Sequence, residues 1–208
     1  MPRPLPAHVL ALTGGDPDAV SNHILDAARR VIANRGLAGA STRAIADEAG
    51  VSGGTLYNYF GSHVQLLAKA IVQRAKDVAD PVTSLPSRAG KASVAENLRL
   101  FVRHAATVLD ELIPTLAAAF SDGELLAAVR RELADADPLT DPARVVERYL
   151  LAERDLDRVA PGADCRAAAR LVVSICHDDA FNRHLVGETK PPRARREEIA
   201  LIARSVTT

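Results

Sequence analysis

The chain has 208 residues, 26 Lys and Arg against 26 Asp and Glu, 48% hydrophobic and 3% aromatic residues, and no Trp. This is ordinary soluble composition, enough for one large domain or a small one plus a larger one, and no apolar run approaches the roughly 20 residues that span a bilayer. Strong helix formers outweigh β-branched alternation, so an all-α fold is expected.

Residues 1–15 read as a flexible arm: Met1-Pro2-Arg3-Pro4-Leu5-Pro6 is too proline-rich for a signal peptide, and Gly14-Gly15 follows. Asp16-Pro17 starts a helix, with Asp as N-cap and Pro at the first helical position. Val20, Ile24, Ala27, Ala28, Val31 and Ile32 keep helical spacing until Gly36, a left-handed stop. Ser41 caps a short second helix through Ala49, Gly50-Val51-Ser52 turns, and Ser52 caps a third from Gly53 to Phe60. A fourth runs from His63 to about Val78 with Val64, Leu67, Ala68, Ile71, Ala75 and Val78 on its stripe. Asp80 to Gly90 reads as a linker. Beyond it the candidates are Ser93–Ile113, Thr115–Ala134 (with a possible break at Ser121-Asp122-Gly123), Pro142–Val159, Asp164–Val186 and Arg193–Val206. The Pro142 helix carries a stripe of Val145, Tyr149, Ala152, Leu156 and Val159.

The informative stretch is Ser41 to Leu67, STRAIADEAGVSGGTLYNYFGSHVQLL. Helix, glycine turn and second short helix make a helix-turn-helix, whose second helix fits the major groove, about 12 Å wide. Gly53 and Gly54 each cost a helix roughly 1 kcal/mol against Ala. They make sense where a helix N-terminus must approach another surface closely and offer its amides to phosphate. Charge adds little: residues 1–80 hold eight Lys and Arg against seven Asp and Glu.

The pattern S-T-R-A-I-A-x-x-A-G-V-S-x-G-T-L-Y-x-Y-F-x-S-x-x-x-L-L resembles the DNA-binding signature of the TetR family of bacterial repressors. The resemblance covers Ile24 to Ala70. It implies an all-α homodimer, with a three-helix DNA-binding domain, a connecting fourth helix, and a C-terminal helical domain for an effector and dimerisation. On that basis residues 16–80 are the DNA-binding domain with its connecting helix, and 81–208 the effector and dimer domain. The resemblance puts Thr42, Thr55, Tyr57 and Tyr59 at phosphate or the groove wall, and Arg43, Gly54 and Asn58 at base edges. Ser41, Ser52 and Gly53 complete the contact surface. Arg43 suits a bidentate guanine contact and Asn58 an adenine. The family usually has Lys where this chain has His63, so a phosphate contact there is weaker and pH-dependent.

For an effector pocket the candidates are Phe101, His104, Phe120, Tyr149, His177 and Phe181, spread over four predicted helices that can converge on an apolar cavity. For the dimer they are Leu171, Val172, Ile175, Leu185, Ile199 and Ile202, which make a four-helix interface with two-fold symmetry. Cys165, Cys176, His177, Asp178, Asp179 and His184 are too poorly spaced for a metal site. Cys165 and Cys176 form no CxxC pair. With no G-x-S-x-G, P-loop or Rossmann glycines, neither an enzyme nor a cofactor is expected. The function expected is a cytoplasmic, dimeric repressor released from a palindromic operator by a largely apolar effector. The alternatives are a ligand-binding or enzymatic helical bundle that no longer binds DNA, and a purely structural dimerisation protein.

Overall fold

The structure is a computed structural model describing residues 5–134, 141–186 and 196–207. Ten α-helices follow one another among these residues: α1 (Ala7–Thr13), α2 (Pro17–Gly39), α3 (Thr42–Ala49), α4 (Gly53–Phe60), α5 (His63–Thr83), α6 (Val94–Phe120), α7 (Gly123–Ala134), α8 (Pro142–Arg154), α9 (Cys165–Val186) and α10 (Arg196–Val206). A 3-10 turn, Leu85–Arg88, lies between α5 and α6. The described residues hold no strand ladder, only one isolated bridge between Val159 and Thr207. None of these helices is long and apolar enough to cross a membrane.

Local chemistry sets most of the boundaries. Asp16, Ser41, Ser52 and Asp141 each accept a hydrogen bond from a first-turn amide, at Ala19, Ala44, Thr55 and Ala143. Each therefore satisfies a donor the helix cannot satisfy itself. Gly50 ends α3 at φ 65°, a left-handed conformation that costs a residue with a Cβ. A Cβ there would also lie 2.3 Å from Nε2 of His8.

Several expectations need correction. The N-terminal arm contains a helix: α1 buries Val9 and ends at Gly14 with φ 62°. Gly36 (φ 69°, ψ 173°) leaves helical geometry at the expected stop, but helical turns resume beyond it to Gly39, so α2 is kinked there. The linker expected from Asp80 is helical as far as Thr83, with Pro81 inside α5, and then forms the 3-10 turn. Pro114 does not end α6, which runs on to Phe120 before the expected break. α8 ends at Arg154, before the last two residues of its expected stripe: Leu156 is half-exposed beyond the helix, while Val159 is still buried in the core. The expected start of the last helix at Arg193 lies outside the described residues.

The chain divides into two compact units, Met1–Ala75 with Thr115–Asp135, and Lys76–Pro114 with Ala136–Thr208. The first has a core of Ile24, Ala28, Ile45, Leu56, Phe60 and Leu66, to which α7 adds Leu125, Ala128 and Val129 at helical spacing. The second is built on Leu98, Phe101, Val145, Tyr149, Val172 and Ile199. Within it α8 packs on α9 and on the 3-10 turn, and α9 on α10.

Candidate nucleic-acid interface

In the first unit α3 and α4 form the two helices of the helix-turn-helix. Leu56 and Phe60 turn α4 inward and are buried, as is Thr55. At about 100° per residue, Gly54, Tyr57 and Asn58 then fall on one outward arc of α4. All three are exposed, Tyr57 to 51% in spite of its large apolar ring.

The two glycines have no internal explanation. Neither Gly53 nor Gly54 has positive φ. A Cβ on Gly53 would meet nothing nearer than Thr42 Cγ2 at 3.8 Å, and one on Gly54 nothing nearer than Ser52 Oγ at 3.7 Å, both ordinary contacts. The fold thus tolerates Ala at either position, and α4 gives up helix propensity on its outer, N-terminal side without internal gain.

Arg43 projects from α3 with its side chain 92% exposed, loosely paired with Asp47 at 3.8 Å. Such an exposed pair is worth little and gives way easily. Ser41 is exposed, Thr42 and Ser52 are partly exposed, and both serines serve as caps. Tyr59 packs partly against the core. Two residues are committed to the fold. Thr55 is 6% exposed, and its hydroxyl stands 2.9 Å from Ser52 Oγ. His63 places Nε2 2.7 Å from the Ala40 carbonyl, so this nitrogen carries the proton and donates it. Only a protonated ring then has a second N–H for phosphate. Nearby, His23 reaches the Ala49 carbonyl at 2.9 Å and Arg30 pairs with Glu48 at 2.7 Å, both tying α2 to α3.

The pocket candidates do not converge. In the second unit a small, mostly apolar cavity of about 60 Å³ is lined by Ala79 and Val82 of α5, Phe101 and Leu109 of α6, Pro142, and Val173, Cys176 and His177 of α9. Of the six residues expected, Phe101 and His177 line it. Tyr149 is fully buried elsewhere in the core, its hydroxyl accepting from Asn97 Nδ2 at 3.0 Å. His104 stands 3.4 Å from the Pro81 carbonyl. Phe120 and Phe181 are 66% and 61% exposed, and Phe120 belongs to the first unit. Burial pushes the Cys176 thiol up to about 12, and its Sγ donates to the Val172 carbonyl. Both cysteines are free and buried. Among the described residues no three His, Cys, Asp or Glu gather as a metal site would need.

The dimer candidates split in the same way. Val172, Ile199 and Ile202 are buried within the protomer, and Ile175 packs partly on the same core, so they are not a free surface. Leu171 and Leu185 are exposed. The structure adds Phe181 to their face of α9 and exposes Leu201 on α10. Spacings of 10 and 14 residues from Leu171 put Phe181 and Leu185 within about 80° of it, a signal that was present in the sequence.

An outward arc on the second helix of a compact helix-turn-helix, over a glycine-thinned N-terminus, is the geometry in which such a helix can enter a major groove. Residues 24–70 match the model of the bacterial regulatory proteins of the tetR family. The chain is 42% identical over 71 residues to the HTH-type transcriptional regulator PksA of Bacillus subtilis, a match spanning 31% of this chain and about a third (35%) of that relative. Its fold is that of a putative TetR-family transcriptional regulator from Mesorhizobium loti (TM-score 0.70, 19% identity, 91% of this chain and 94% of that one). It is also that of SmeT, the repressor of the Stenotrophomonas maltophilia multidrug efflux pump SmeDEF (TM-score 0.61, 21% identity, 93% of each chain). FadR of Bacillus subtilis, solved in complex with stearoyl-CoA, is similar as well (TM-score 0.57, 20% identity, 88% of this chain and 94% of that one). The N-terminal segment thus resembles that of the tetR family, the fold is shared with these regulators, and the chain spans about a third of the length of the curated relative it matches.

Proposed function

We propose that this protein is a cytoplasmic, homodimeric transcriptional repressor that binds a pseudo-palindromic operator through α3 and α4 and leaves it when a small, largely apolar effector binds the second unit. It acts by binding and carries out no reaction. The observation that carries this reading is the exposed arc of Gly54, Tyr57 and Asn58 beside Arg43, on a helix whose glycines the fold does not require. Arg43 reads a base, Tyr57 and Thr42 meet phosphate, and backbone amides at the start of α4 supply the remaining anion contacts.

The cavity beside Phe101 and Cys176 is the effector's point of entry. At about 60 Å³ it is several-fold below the roughly 300–1,000 Å³ of a small-molecule site, so binding must widen it. The last turns of α5 line it, and the same helix begins at His63 beside the DNA-binding face. A ligand that moves this wall biases the position of α4 by its differential affinity for the two states. That SmeT is a repressor and that FadR was solved with stearoyl-CoA support a reading of this kind.

The test is fluorescence anisotropy on duplex DNA from upstream of the protein's own gene, at two salt concentrations. Wild type should prefer one site, and Arg43→Ala should lose roughly 1–3 kcal/mol there while keeping its weak binding to random DNA. Absence of binding to any duplex at about 50 mM salt would favour the alternative, a helical ligand-binding bundle without DNA.

A further inference from the structure

A second concavity in the second unit has different chemistry and no part in the reading above. It is an open cleft of about 610 Å³, lined by Arg88 of the 3-10 turn, by Ala92, and by Glu96, Arg99, Leu100 and Arg103 of α6. Around the α6 axis this side is opposite Phe101, Ala105 and Leu109, so the cleft and the apolar cavity do not share a wall of that helix.

Three guanidinium groups meet here with one carboxylate, and that carboxylate is already engaged. Glu96 accepts from the Ser93 amide at 2.9 Å and from the Ser93 hydroxyl at 2.7 Å, closing a capping box at the start of α6. These bonds hold its carboxyl below the usual range, helped by the nearby charge of Arg99. Arg88 is held in place: its Nε donates to Asn97 Oδ1 at 2.7 Å. Asn97 is fully buried and donates in turn to the Lys91 carbonyl at 2.6 Å and to Tyr149. No hydrogen bond among the described residues engages the Nη groups of Arg88. Arg99 has its Nε buried without an acceptor, and Arg103 has no ion-pair partner among the described residues. Like charges at i and i+4, as Arg99 and Arg103 are, repel one another along a helix. A clamped fork, an orphaned Nε and an unneutralised pair around one concavity call for an anion with several oxygens. Guanidinium forks match phosphate bidentately, and the cleft is of small-molecule size.

We propose that this cleft binds a small, soluble phosphate-bearing molecule through Arg88, Arg99 and Arg103. The site is separate from the DNA-binding face and from the effector cavity, and it stands whether or not the protein binds DNA.

Calorimetric titration of the full-length protein with pyrophosphate, in low-salt buffer without phosphate, tests it. Malonate and vesicles containing phosphatidic acid serve as parallel arms. Wild type should bind pyrophosphate saturably and more tightly than malonate. Arg99→Gln with Arg103→Gln should weaken binding about tenfold or more, since each removal takes away charge-assisted hydrogen bonds. Arg103→Gln alone changes one exposed side chain and should show a smaller loss with the melting temperature unchanged. Arg43→Ala should bind pyrophosphate as wild type does. Equal affinity in wild type and the double variant, or no saturable heat, would overturn the assignment. So would heat lost in Arg43→Ala but kept in the double variant, malonate binding as tightly as pyrophosphate, or arginine-dependent binding seen with vesicles alone.

Discussion

Gly54 separates stability from binding. Ala at this position meets only ordinary contacts, so Gly54→Ala should stabilise the protein by up to about 1 kcal/mol, read from denaturant melts. If the start of α4 lies against DNA, the same variant should bind operator more weakly; a stabilised protein with undiminished affinity would remove α4's N-terminus from the interface. Thr55 behaves in the opposite way. It is buried against Ser52, so Thr55→Ala should cost about 1 kcal/mol of stability through the cap, and any loss of DNA binding should follow the loss of fold. The alkaline limit of stability is also set by single residues. Burial raises both the Cys176 thiol, to about 12, and the Tyr149 phenol, so the unfolded chain releases these protons first. Stability from these groups is whole below about pH 8.5, the ordinary thiol value, and is lost as pH rises toward their folded values. Melting temperature should therefore fall steadily from about pH 9 upward, and Cys176→Ala should flatten that slope even if the variant is less stable at neutral pH.

Two helices pass from one compact unit to the other, α5 beyond Ala75 and α6 at Pro114. Proline inside a helix forfeits the bond to the carbonyl four residues back and crowds it, at a cost of about 3 kcal/mol against alanine. The sequence therefore suggests an end at Ile113, yet α6 continues through the proline. Buried Phe101, Val102, Ala105 and Ala106 before it and Ala119 after it show what outweighs the penalty: both ends of the helix are held in cores. Pro114→Ala should raise the unfolding free energy by up to about 3 kcal/mol, measured by urea melts. A destabilised variant would mean that the proline ring itself is needed for packing.

At the scale of the whole molecule, one face of α9 exposes Leu171, Phe181 and Leu185 together, and Leu201 of α10 is exposed as well. Clustered large apolar side chains of this kind mark an interaction surface. A two-fold dimer through this face is the proposed assembly, and Leu185→Glu with Phe181→Glu should give a monomer in sedimentation velocity with helix content unchanged. A dimer presents two α4 helices, so the monomeric variant should also lose most of its affinity for a site whose halves lie about 34–36 Å apart. If an effector releases the operator as proposed, the factor by which ligand weakens DNA binding should equal the factor by which DNA weakens ligand binding, typically about 1–3 kcal/mol.

Most of residues 16–60 is legible, the turns of α2 beyond Gly36 excepted, because its signals are local. Asp16, Ser41 and Ser52 cap the helices that their side chains start, and Gly50 turns where only a residue without a Cβ turns cheaply. The outward positions of Arg43, Tyr57 and Asn58 follow from 100° steps away from Ile45, Leu56 and Phe60. What failed was whatever depends on partners distant in the chain. Residue type suggests Phe120 and Phe181 for a pocket, yet both are exposed, and helical spacing suggests Val172 and Ile199 for an interface, yet they fill their own core. A hydrophobic period says which face of a helix is buried, not whether the neighbour comes from the same chain or another. Nor does it say that α7 completes the N-terminal core, or that a proline is carried through a helix held at both ends. The sequence alone determined the short helices α3 and α4, their serine caps and the outward arc of Gly54, Tyr57 and Asn58, because capping bonds and apolar spacing within a few residues set them. Only the tertiary structure decided which apolar faces are spent inside the protomer, where Arg88, Arg99 and Arg103 converge, and that the apolar cavity beside Phe101 and Cys176 holds only about 60 Å³, because these depend on packing between helices far apart in sequence.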